Sequence, residues 1–275
     1  MEIKHIIIGL VASLCMVEAR ADIDLVGDID NDGQHSYRDV RLLVDFILGR
    51  DTLDFYNGHE WVDLGLPSGR LWATMNVGAT VEAESGGYYA WGEITEKETY
   101  NWDNYKWTDD SLVLTRYCRD SLYGVVDSIA SLIAVDDAAR QNWGGRWRMP
   151  TLDEIQELRE QCLWRTESIG EQTGFRVTGP NGNSIFLPMA GYRDADYYAN
   201  EDSEGFYWTC ELNYASDDEA YGLQLFTYSR WWAIRSRHTG RTVRACALSP
   251  QQIYDVNKDG RVSLADVTAL VNMIF

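Results

Sequence analysis

GDIDNDGQHSYRD, residues 27 to 39, returns far downstream as YDVNKDGRVSLAD, residues 254 to 266. Counted from the first Asp of each stretch, Asp28, Asp30, Asp32, Gly33, Gln34, Ser36 and Asp39 occupy positions 1, 3, 5, 6, 7, 9 and 12. Asp255, Asn257, Asp259, Gly260, Arg261, Ser263 and Asp266 occupy the same positions in the second copy. Oxygen ligands at alternate residues, Gly where the chain must turn sharply and a carboxylate at position 12 form the pattern by which a loop wraps Ca2+. Position 7 offers only its backbone carbonyl, so Gln34 and Arg261 are both admissible there. The pattern predicts two calcium ions, one on Asp28, Asp30, Asp32, Gln34 and Asp39, the other on Asp255, Asn257, Asp259, Arg261 and Asp266.

Each loop runs into an apolar stripe at i, i+3, i+4 and i+7: Val40, Leu43, Val44 and Ile47, then Val267, Leu270, Val271 and Ile274. That spacing predicts two amphipathic helices. Ser36 with Asp39, and Ser263 with Asp266, sit as helix-capping pairs, and Gly49 can close the first helix. These EF-hand-like loop-helix units, with Asp at position 12, resemble dockerin type I repeats over residues 24 to 50 and 250 to 275. The resemblance implies a cohesin-like protein as partner. In that family the two repeats are close in sequence and pack together, whereas here some two hundred residues part them. A single repeat buries too little to fold alone. The expected organisation is therefore a first repeat over 22 to 50 and a second over 250 to 275 that meet in space, with residues 54 to 248 inserted between them. The ends of the insert must then lie together, as domain termini often do.

The N-terminal residues read as an export signal over 1 to 21: Lys4, an apolar core of about twelve residues from Ile6 to Val17, and Ala19-Arg20-Ala21 for cleavage. That core is shorter than the about 20 residues a membrane span needs, and no later segment is apolar for long enough. The expected address is outside the cytoplasm: periplasmic, cell-surface or secreted. The formal charge is −19, and the signal's four charges cancel. So acidic a chain argues against nucleic acid, whose binding rests on Lys and Arg neutralising phosphates, and suits cations. Export permits disulfides among Cys118, Cys162, Cys210 and Cys246, but the spacing fixes no connectivity, and a chain this rich in Trp and Tyr can build a core without staples, which puts free thiols slightly ahead of any bridge.

The insert is rich in Gly, Trp and Tyr. Short strands are expected at 61 to 64 and 71 to 77, around the turn at Pro67, and at 207 to 210, 221 to 226 and 242 to 247. FRVTGPNGNSIFL, residues 175 to 187, reads as a hairpin turning at Asn181-Gly182. Helices are expected over 136 to 142 and, opened by the capping box Thr151 and Glu154, over 152 to 161. The class is α+β, dominated by antiparallel sheet. The words WVDLGLPSG (61 to 69), LWATMNVGA (71 to 79), GGYYAWGE (86 to 93), NWGGRWRMPTLDEIQEL (142 to 158), GPNGNSIFLPMAGYR (179 to 193), FYWTC (206 to 210) and RTVRA (241 to 245) resemble the Fibrobacter succinogenes major paralogous domain, a family of exported bacterial modules. The resemblance implies a C-type-lectin-like fold: a twisted antiparallel sheet with two helices, first and last strands adjacent.

That resemblance does not extend to catalysis. Calcium-bridged sugar binding in the lectin-like fold implies Glu-Pro-Asn or Gln-Pro-Asp with Trp-Asn-Asp; here stand Leu187-Pro188-Met189 and Asn101-Trp102-Asp103. The paired cysteines of the related formylglycine-generating enzymes have no match. Beyond the signal only His35, His59 and His238 remain, and no nucleophile-base pair forms around them. The expectation is no enzyme. Aromatic residues in polar surroundings, Trp102, Tyr105, Trp107, Trp231 and Trp232, are candidates to stack on a sugar or anchor a protein. The chain thus reads as a calcium-binding, carbohydrate- or surface-protein-binding lectin-like module, with a structural subunit of a cell-surface assembly as the alternative.

Overall fold

Residues 25 to 50 and 54 to 275 are described by a computed structural model; the expected export signal lies outside them. Helix α1 (Tyr37–Ile47) follows the first acidic loop. The insert runs through β1 (Trp61–Asp63), β2 (Leu71–Ala73), α2 (Ala138–Trp143), α3 (Leu152–Gln161), β3 (Leu163–Ile169), β4 (Gln172–Thr178), β5 (Ser184–Pro188) and β6 (Tyr192–Asp194). It continues through β7 (Tyr197–Ala199), β8 (Glu204–Leu212), β9 (Glu219–Phe226), β10 (Ser229–Ser236) and β11 (Cys246–Ala247). Helix α4 (Pro250–Tyr254) leads into the second acidic loop and α5 (Leu264–Ile274) leaves it. The architecture is α+β, with small antiparallel sheets ordered β1-β2-β11, β3-β4-β5, β6-β7 and β8-β9-β10.

The first of these sheets closes the insert. β1 and β2 pair as a hairpin, Val62 opposite Trp72, and β11 lies on the other edge of β2 with Cys246 opposite Trp72. Tyr56 donates its hydroxyl to the carbonyl of Leu248 at 3.0 Å. The two ends of the insert are therefore neighbours.

The turn between β4 and β5 does not hold both Asn181 and Gly182 at the positive φ angles of a type I′ hairpin. Gly182 alone adopts one, at +90°. Asn181 instead donates Nδ2 to the carbonyl of Asp63 at 2.9 Å and ties the hairpin to β1. Four strands are absent from the sequence expectations, β3, β6, β7 and β10. All are sheet edges, and their half-exposed residues show none of the apolar alternation that a strand buried on one face displays.

Helix α3 buries Ile155 and Leu158 in a cluster shared with three of the sheets. Its capping residue Glu154 does more than cap. It accepts two bonds from Arg148, at 2.7 and 2.8 Å, and its Oε1 lies 2.5 Å from Arg70 Nε beside β2. Burial works to raise the Glu154 carboxyl, but Arg148 and then Arg70 override it and pull it down to about 2. A depressed carboxylate contributes stability that is present above its unfolded value, ordinarily about 4.3, and is lost as pH falls through about 2. Glu154→Gln is expected to lower stability by about 3 kcal/mol at pH 7, the penalty of breaking a buried pair. Urea unfolding of the variant should also lose much of the acid limb between pH 5 and pH 2.

The two loop-helix units lie against each other and against the insert. Leu43 of α1 and Leu270 of α5 are both fully buried, in one cluster with Ile29, Phe55, Trp147, Ile253 and Val256. Phe46 stacks on Tyr254 with ring centroids 3.9 Å apart, and Tyr37 meets Phe275 edge-on at 5.9 Å. Val40, Ile47, Val267 and Ile274 pack half-buried at the margin, as do Leu42 and Phe46, which lie off the expected stripe. Gly27 marks the closeness of the approach: its φ is +88°, and a Cβ there would lie 2.9 Å from Leu270 Cδ1. Helix α1 ends at Gly49 in the left-handed region, with Arg50 N bonded to Asp45 O and Gly49 N to Phe46 O, the two bonds of a Schellman end.

Candidate metal centre

Each acidic loop folds around its own first and last carboxylates. Asp28 Oδ1 accepts from Asp32 N at 3.0 Å and Oδ2 from Gly33 N at 2.8 Å. Asp255 repeats this with Asp259 N at 3.1 Å and Gly260 N at 2.8 Å. Asp39 Oδ1 accepts from Ile29 N and Asp30 N while Oδ2 accepts from Ser36 N and Oγ; Asp266 likewise accepts from Asn257 N and Ser263 N. Gln34 N and Arg261 N each donate to the position-5 carboxylate at 2.9 Å, and both residues are exposed. Backbone angles match as well: Asn31 and Lys258 have φ of +61° and +60°, Gly33 and Gly260 of +87° and +83°. A Cβ at either of these glycines meets nothing within 4 Å, so it is the left-handed backbone and not crowding that favours Gly.

The loops differ at position 3. In the second, Asn257 is exposed and engaged, its Oδ1 accepting from Asp259 N and its Nδ2 donating to Asp259 Oδ2, each at 3.0 Å. In the first, the Asp30 side chain is only 6% exposed, and neither of its oxygens has a hydrogen-bond partner. Arg38 Nε stands 2.9 Å from Asp30 Oδ2 but without hydrogen-bond alignment. Burial first, then the charges of Asp39 and Asp32, raise the Asp30 carboxyl above its ordinary range, against a smaller opposing effect of Arg38. Ligand oxygens of Asp28, Asp30 and Asp32 lie within 4.8 Å of one another, so this group could hold a metal ion. A buried carboxylate that accepts no hydrogen bond is unfavourable, and a bound cation would relieve it.

The first loop is also bolted to the insert. Arg146, buried, donates Nη2 to the carbonyls of Asp28 and Ile29, the latter at 3.0 Å, and Asn31 Nδ2 donates to Gly145 O at 3.3 Å. Arg146 N in turn bonds Phe55 O at 2.7 Å. None of this is visible in NWGGRWRMP as a sequence, since the partners are 91 or more residues apart. A cavity of about 310 Å³ separates the two loops, lined by Asp28 and Asp255 and by Arg70 and Arg146 of the insert.

The aromatic candidates do not converge. Tyr105 is buried, its hydroxyl donating to Trp91 O at 2.6 Å and accepting from Arg237 Nε at 2.9 Å; its polar neighbours in sequence hide a core position, and its ring offers no surface. Trp107 is half-buried, with Nε1 on Gly92 O at 2.9 Å. Trp102 packs edge-on against Tyr105 and lies 4.7 Å from His238. Trp231 and Trp232 are exposed, 61% and 47%, but on the edge strand β10 and not in the loop the sequence suggested. Among the described residues Cys118, Cys162, Cys210 and Cys246 stand as free thiols.

No protein-family model, curated protein or solved structure matches the chain, so the two family resemblances rest on the residues quoted for them. No helix among the described residues is long and apolar enough to cross a membrane.

Proposed function

We propose that the chain is an exported, non-catalytic binding protein in which two calcium loops form one clamp at the base of a lectin-like insert, and the insert recognises a glycan or a surface protein. The observation that carries the metal half is Asp30, its side chain withdrawn from water between two further carboxylates, with neither oxygen hydrogen-bonded and only the exposed Arg38 beside it. Asp28, Asp30, Asp32, Asp39 and the carbonyl of Gln34 would hold one ion; Asp255, Asn257, Asp259, Asp266 and the carbonyl of Arg261 the other. Bound calcium supplies positive charge that neutralises the loop and stiffens it. Calcium suits these flexible, many-oxygen loops, whereas magnesium demands near-octahedral geometry and retains its waters.

The side chains then divide the work. Asp39 and Asp266 join each loop to the N-terminus of its helix, where a negative charge is favourable. Arg146 transmits the order of the first loop to the insert. Tyr37 and Leu264, both about 70% exposed at loop position 10, differ in kind, so a cohesin-like partner would read one helix and not both alike.

Calorimetric titration of calcium into the metal-free chain tests this reading. Two ions are expected, with the Asp30 loop the tighter because it offers one more charge than the Asn257 loop. An absence of binding, or a single magnesium site that calcium does not displace, would overturn the metal assignment.

A further inference from the structure

Five arginines are buried among the described residues, Arg146, Arg148, Arg237, Arg241 and Arg244. Four are visibly engaged. Arg237 donates to Tyr105 Oη and to the carbonyls of Tyr117, Asp217 and Arg116. Arg244 donates to Asn76 Oδ1 and to the carbonyls of Ala73, Thr74 and Phe186. Arg148 grips Glu154 with two nitrogens, and Arg146 holds the first acidic loop.

Arg241 is the exception. It is 4% exposed, yet its side chain makes one hydrogen bond, from Nε to Thr239 Oγ1 at 3.1 Å, and no carboxylate pairs with it. Its guanidinium carbon lies 3.9 Å from the ring centroid of Tyr192 and 4.8 Å from that of Phe206. Burial first, then the neighbouring charge of Arg235, push Arg241 down to about 9. With Nε engaged and the plane fixed by two rings, the Nη atoms are left for a cleft of about 440 Å³, whose lining also includes Asp194, Glu204, Gln224 and Arg235.

We propose that this cleft binds a small carboxylate bearing hydroxyl groups, an acidic sugar or a hydroxy acid, with its carboxylate on the Nη atoms of Arg241. A guanidinium presents parallel donors that match a planar carboxylate. Arg235 donates to Ile234 O and Gln224 Oε1, so it adds positive charge but not a second open fork. Asp194 and Glu204 offset the two arginines, disfavour a dianionic phosphate and offer acceptors to hydroxyls. The volume falls in the range of small-molecule pockets, about 300 to 1,000 Å³. The site gives the recognition half of the function a place and a ligand class. Every residue of it belongs to the insert, so it stands or falls separately from the calcium loops.

Glucuronate, lactate, glucose and inorganic phosphate titrated into the full chain, followed by calorimetry, test it. At least one of the two hydroxylated carboxylates should bind, with glucose and phosphate each at least about tenfold weaker. Tighter glucuronate identifies an acidic sugar, tighter lactate a hydroxy acid. Arg241→Met should lose at least about tenfold in affinity while its thermal midpoint without ligand holds or rises, because an unpaired buried charge is gone. Arg241→Lys keeps the charge without the fork and guards against a folding defect in the first variant; it should weaken binding by a similar factor. No binding of either carboxylate, glucose or phosphate binding as tightly, or an Arg241→Lys protein that binds like the wild type would each overturn the proposal.

Discussion

Leu270→Ala is expected to destabilise the whole protein by about 3 kcal/mol, within the range for a buried Leu reduced to Ala. Leu270 has no exposed surface and closes on Gly27 and Val256 in a cluster that contains Leu43, Ile29 and residues of the insert. The clamp has no separate core to fall back on: each half contributes one eleven-residue helix, a length that is marginal in isolation. Leu43→Ala should act alike. The double variant should lose less than the sum of the two, since the second truncation enlarges a cavity that the first has already opened. Thermal unfolding reads the result, with a midpoint lowered by roughly 6 to 12 °C. A loss below about 1 kcal/mol, or strict additivity, would mean that the two helices touch without sharing a core.

Asp30→Asn should change sign with calcium. In metal-free protein the substitution removes a buried negative charge that has no hydrogen-bond partner and two carboxylate neighbours, so stability should rise, by about 1 kcal/mol. Under saturating calcium the same change deletes a charged ligand, and affinity at that loop should fall at least about tenfold. Asn257 in the second loop shows that the amide is compatible with the backbone, because it sits there among matching bonds. Urea unfolding with and without calcium separates the two effects. If Asp30→Asn is destabilising in both conditions, Arg38 is the true partner of Asp30 and the case for a cation weakens.

The acidic loops were legible because their chemistry is local. The Gly turn and the Ser-Asp caps are written within thirteen consecutive residues, and each has its counterpart in a hydrogen bond. The apolar stripes predicted which helices need a partner, and Leu43 and Leu270 are the buried centres of both. Long-range contacts left no such trace. Arg146 reads as one arginine of a conspicuous word, and only folding brings it to Asp28. Trp231 and Trp232 read as loop because an edge strand exposed on both faces has no period to detect. Tyr105 misled for the opposite reason: its neighbours are polar while its own hydroxyl is satisfied inside the core. Helix α4 was overlooked, although Ser249, Pro250 and Gln252 form a capping box with Pro at the first turn.

The central claim is that two loops parted by the insert act as one clamp, and calcium titration of the chain ending at Pro250, beside the full chain, tests it most directly. The clamp predicts two sites in the full chain and one greatly weakened site in the shortened one, since the first loop loses the core that positions α1. One site of undiminished affinity in the shortened chain would contradict it and leave the loops as independent binders on a separately folded insert.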